Sequence, residues 1–164
     1  MPTSEVVVAD TSPLIHLDRV GRIDLLRQLF GRVTVPLAVA EELLAGRAHG
    51  IAVPDLAAMT WIEVHPDRMD PRVTGIQGIH RGEAAALSLA LVFPNHLLIV
   101  DDLAGRNAAI ELRLRFIGTA GALVRAKRAG IISSVAVLLD ELAATGFRLA
   151  PSVRRRLLLE VAEE

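Results

Sequence analysis

Val6-Val7-Val8-Ala9-Asp10-Thr11-Ser12-Pro13 is the stretch on which the fold turns. Three β-branched residues and an alanine without polar alternation read as a short strand buried on both faces, the pattern of a parallel sheet. Asp10 ends it. Thr11 and Ser12 offer helix caps, Pro13 suits a first helical turn, and Leu14, Ile15 and Leu17 supply an apolar stripe. A carboxylate thus stands at a strand-to-helix turn, the place where open α/β sheets bind ligands.

Outward from this point the pattern repeats. Helical stripes are expected over Arg22–Phe30 and from Leu37 to about Ala45, where Gly46 and Gly50 are expected to break the helix. Strands are expected at Val33–Val35, Trp61–Val64, Leu97–Val100 and Phe116–Ile117, and a loop from His65 to His80. An alanine-rich helix from Glu83 to about Val92 and another through about Arg113 flank the fourth strand. Gly118-Thr119-Ala120-Gly121 reads as a turn before a helix at Ala122–Ala129, and C-terminal helices fill about 133 to 162. Alternating strands and helices predict a single α/β domain over 1–164, a parallel sheet covered on both faces. If strand order reverses after the first segment, strands one and four are neighbours and Asp10 faces Asp101.

Composition narrows the chemistry. The 164 residues include no cysteine, which removes thiolate catalysis and Cys-ligated zinc and fits a reducing, cytoplasmic setting. The formal charge of −1 announces no bulk affinity for nucleic acid or membrane. Aromatic residues are only 3% of the chain and tyrosine is absent, so an RNA-binding fold built on base stacking is disfavoured. The apolar run 84–93 is too short to span a bilayer, and no secretory leader is expected.

Four places bring acids to element boundaries or to helices near the same sheet edge: Asp10, Glu41/Glu42, Glu83 and Asp101/Asp102. Carboxylates without cysteine or paired histidines suit a hard cation, Mg²⁺ or Mn²⁺, and such a cation suits phosphodiester hydrolysis. Helical geometry does not separate Glu41 from Glu42. Asp101 and Asp102 close an apolar strand side by side, an arrangement that repels itself without a cation. The five histidines lack ligand spacing. The 118–121 turn lacks the lysine of a nucleotide loop. A phosphoacceptor domain would need a lysine after the last strand, whereas Lys127, the single lysine, lies inside a helix. Arg125, Lys127, Arg128 and Arg154–Arg156 are candidate phosphate contacts.

Asp10-Thr11-Ser12-Pro13-Leu14, Val39-Ala40-Glu41-Glu42-Leu43, Gly82-Glu83-Ala84-Ala85-Ala86 and Leu98-Ile99-Val100-Asp101-Asp102 with Arg106 and Ala109 together resemble the PIN-domain family. Ile117-Gly118-Thr119-Ala120-Gly121 extends the similarity, which covers nearly the whole chain. The resemblance implies a three-layer α/β/α sandwich with a five-stranded parallel sheet in the order 3-2-1-4-5. It implies a Mg²⁺- or Mn²⁺-dependent endoribonuclease for single-stranded RNA, of the kind found as toxins with a protein antitoxin. The C-terminal helices, with Val135, Leu138, Leu139, Leu142 and Leu157–Leu159, are expected to be mostly core with an apolar surplus for a homodimer or an antitoxin segment. By position, Asp10, Glu42, Glu83 and Asp101 or Asp102 would hold the metal, with Thr11, Ser12 and Thr119 hydrogen-bonding around them. Arg106, Arg125 and Lys127 would meet the nucleic acid. Toxin members often carry Thr-x-Asp where this chain has Val100-Asp101-Asp102. That departure keeps a second possibility open, a binding module of the same fold without catalysis.

Overall fold

A computed structural model describes residues 4–164. In chain order, β1 (Val6–Ala9) leads into α1 (Thr11–Arg19) and α2 (Asp24–Phe30), and β2 (Val33–Pro36) into α3 (Leu37–Ala48). A 3-10 turn at Leu56–Ala58 precedes β3 (Ile62–His65), followed by α4 (Pro71–Thr74) and α5 (Arg81–Val92). Then come β4 (His96–Ile99), α6 (Leu103–Glu111), β5 (Phe116–Ile117), α7 (Thr119–Arg128), α8 (Val135–Ala144) and α9 (Pro151–Glu160).

The strands form one five-stranded parallel sheet in the order β3-β2-β1-β4-β5. Val6, Val7, Val8 and Ala9 pair with His96, Leu97, Leu98 and Ile99, so the acids that follow the two central strands emerge at one edge. Side chains alternate between faces along a strand, and that alternation builds two cores. Val7, Ala9, Leu97 and Ile99 join Leu14, Leu17, Leu123, Leu139 and Leu142 on one side. Val8, Leu98 and Val100 join Ala86, Leu87, Ala90 and Ala109 on the other. Almost every residue of α5 after Arg81 is buried, because this helix is packed against the sheet and roofed by its neighbours. Its alanines allow that close approach.

Three local expectations are corrected. Gly46 does not break α3, which continues to Ala48; a Cβ there would stand 3.4 Å from Val53 Cγ1, an ordinary contact. The break comes at Gly50, whose φ of +78° favours glycine. The helix after β5 starts at Thr119 instead of Ala122 and takes Gly121 inside it, against Ile117. Within the expected loop 65–80, Asp70 caps α4 by accepting from the Arg72 backbone N–H, with Pro71 in the first turn. Among the described residues, no helix is long and apolar enough to cross a membrane.

Candidate metal centre

Asp10 occupies the N-cap position of α1, yet its side chain makes no capping hydrogen bond. Capping is the ordinary use of an aspartate at such a position. Asp10 is 2% exposed, and Glu83, in the first turn of α5, is 8% exposed. A cavity of about 410 Å³ opens over them, lined by Asp10, Thr11, Ser12, Glu42, His80, Arg81 and Glu83.

The supporting bonds are specific. Thr11 Oγ1 donates to Glu42 Oε2 at 2.5 Å, and the Gly82 N–H donates to Glu42 Oε1 at 2.9 Å. Glu41, the neighbouring acid, turns outward to Arg81 at 2.7 Å. Asp101 accepts from the Thr119 N–H at 2.7 Å and from Thr119 Oγ1 at 2.6 Å. Asp102 caps α6 by accepting from the Ala104 N–H at 3.1 Å, and its residue is exposed. Ser12 lines the cavity.

Burial pushes the Asp10 carboxyl up to about 7; the Thr11 N–H opposes this, and the charges of Glu83, Glu42 and Asp101 add to it. Burial also raises Glu83, with further contributions from the Asp102 and Glu42 charges. Glu83 Oε2 is buried and has no hydrogen-bond partner. A native protein rarely leaves such an oxygen unpaired, and a missing ion is one explanation. The donor set is all oxygen, as a hard divalent cation requires. These residues fit such an ion in kind. In position they stand apart: among the described residues, no three acidic or histidine side chains converge closely enough to hold a metal. Glu42 and Asp101 instead take hydroxyl and N–H donors close to them.

Of the expected nucleic-acid contacts, Arg106 stacks on Phe116 with its Cζ 5.7 Å from the ring centroid. Arg125 is half-buried on α7. Lys127 is engaged elsewhere, donating to Glu163 at 2.7 Å about two turns along α7 from Thr119. Gly82 is the site residue that residue-type reasoning passes over: a Cβ there would lie 2.5 Å from Glu42 Oε2. Its signal was a glycine placed directly before an acid in an otherwise helix-favouring stretch.

A family model described as a PIN domain matches residues 6–163 of the chain. No curated protein and no solved structure shows significant similarity to it.

Proposed function

The chain belongs to the PIN-domain family, whose members are generally nucleases dependent on divalent metals, and on that premise we propose that it is a Mg²⁺- or Mn²⁺-dependent endoribonuclease for single-stranded RNA. The observation that carries the proposal is the pair of buried carboxylates, Asp10 without its capping bond and Glu83 with an unpartnered oxygen, in one cavity.

Asp10, Glu42 and Glu83 would hold the cation, with Asp101 beside them. A divalent cation there supplies Lewis-acid stabilisation of phosphoryl charge and acidifies water. The protein's own share is orientation. Thr11 and the Gly82 N–H fix the Glu42 carboxylate, and Thr119 fixes Asp101. Asp102 keeps α6 in place through its cap. Arg81, half tied to Glu41 and Asp67, stands at the rim, where an anionic substrate enters.

The toxin role, an antitoxin partner, self-association and a cytoplasmic location belong to the same proposal. A protein partner finds support in an apolar groove of about 470 Å³ lined by Leu37, Leu44, Met59 and Val64, between α3 and the edge strand β3.

The test is calorimetric titration of Mn²⁺ into metal-stripped protein, with cleavage of single-stranded RNA measured alongside. Wild type is expected to bind Mn²⁺ and cleave, and Asp10→Asn to do neither while keeping its circular dichroism. Full activity of Asp10→Asn would overturn the reading. Val100-Asp101-Asp102 in place of the Thr-x-Asp of toxin members, with a net charge of −1, favours a second reading, a non-catalytic nucleic-acid or protein binding module. RNA binding indifferent to chelator, without cleavage, would decide for it.

A further inference from the structure

A second cavity, of about 240 Å³, begins at Asp101 and runs away from the acid cluster between the β5–α7 turn and the α8–α9 connection. Its floor is apolar, including Phe147, Leu149 and Leu157, and Arg106, Arg148 and Arg156 line it. None of these three guanidinium groups has an acidic partner among the described residues. Their neighbours on α9 do: Arg154 pairs with Asp140 at 2.9 Å and Arg155 with Glu164 at 3.6 Å. Three arginines without an ion-pair partner thus line one cavity that carries a single acid, Asp101, while Arg106 also lies over the Phe116 ring, and a cavity so charged favours an anion.

We propose that this cavity is a nucleotide subsite, taking one base and phosphate of a single strand next to the phosphate at the acid cluster. The proposal rests on the nuclease reading above. The base would lie against Phe147, Leu149 and Leu157, and the phosphate would pair with the arginines, whose planar donors match its oxygens. Asp101 sets the direction, because its carboxylate repels a second phosphate from the end nearest the acid cluster. The wall is anchored to the centre by α1. This helix carries Thr11 at its start, and its His16 ring meets Phe147 edge-on at 5.1 Å. The C-terminal helices thereby acquire a role in substrate placement.

The test is fluorescence anisotropy of a short labelled oligouridylate, with oligothymidylate in parallel, on the full chain in EDTA so that binding is read without hydrolysis. The Arg148→Gln/Arg156→Gln double variant is expected to bind oligouridylate about tenfold more weakly, with a salt slope shallower by about 0.7 for each lost phosphate contact. Arg22→Gln, which removes a charge beyond the far end of α1, is expected to match wild type. Mn²⁺ titration checks that the double variant keeps its acid centre. Arg106→Gln, read the same way, replaces the double variant should that fail to fold. Equal affinity of the double variant and wild type overturns the subsite even if the protein cleaves RNA. Loss of binding in the variant supports it even if wild type proves unable to cleave, in which case only the nuclease reading falls. A wild type that binds neither oligonucleotide overturns the subsite.

Discussion

Asp10 and Thr11 show how adjacent residues divide the work at a strand end. Asp10 holds the cap position without capping, and Thr11, a residue type often used as a cap, spends its hydroxyl on Glu42 across 31 positions of sequence. Removing that hydroxyl while keeping the side-chain shape isolates the orienting bond. Thr11→Val is therefore expected to weaken Mn²⁺ binding by about 10- to 100-fold, the usual effect of losing a bond that orients a ligand. Calorimetry measures this, and an unchanged affinity would show that Glu42 needs no such support. Glu41 and Glu42 make the same point. They differ by one step on the helix, and that step sends one to Arg81 at the surface and the other into the cavity.

Helices α3 and α5 pack together beside the candidate site, and Gly82 meets Glu42 there. Its N–H binds Glu42, and its missing side chain leaves room for the same carboxylate. Gly82→Ala would place a methyl 2.5–2.7 Å from three atoms of that carboxylate. The tip of a glutamate can swing aside, and alanine favours a helix by roughly 1 kcal/mol over glycine. Thermal stability is thus expected to hold or rise while Mn²⁺ affinity falls, which differential scanning calorimetry and metal titration together can separate. A large drop in melting temperature would mean that the carboxylate cannot move. Gly105 on α6 faces harder neighbours. A Cβ there would lie 2.8 Å from Val100 Cγ2, in a core, so Gly105→Ala is expected to cost about 1–3 kcal/mol in urea unfolding.

Across the whole molecule, the chain's end is tied back to its middle by Glu163. It accepts from Lys127 Nζ, from the Val135 and Ala136 N–H groups and from Ser134 Oγ, and so closes the start of α8 onto α7. Burial opposes its ionisation, but these four donors outweigh it and hold the carboxyl at about 2 against an ordinary 4.5. A lowered acid pKa contributes stability that is complete above about 4.5 and is lost as pH falls towards 2. Glu163→Ala is expected to cost about 2 kcal/mol at neutral pH, as the loss of a charged cap does. Its unfolding midpoint should also fall less than that of wild type between pH 4.5 and 2. Parallel acid titrations of the two proteins would contradict this assignment.

The sequence by itself determined the fold class: the valine run ending in Asp10, the matching Leu97–Val100 ending in acids, and helices between strands predict a parallel sheet covered on both faces, and the resemblance to the PIN-domain family implied the strand order that is found. It did so because burial on both faces demands continuous apolar strands, and parallel pairing demands crossovers. The candidate acids were legible by type and boundary position for the same reason. Helical spacing left Glu41 and Glu42 unseparated and only the resemblance favoured Glu42; hidden from sequence altogether were the continuation of α3 through Gly46, the capped turn at Asp70, the sequestering of Lys127 by Glu163, and the gathering of Arg106, Arg148 and Arg156. Each depends on which distant surface a residue meets. Local propensity carries no information about a partner 31 or 36 positions away, and only the packing of helices on the sheet brings the two together.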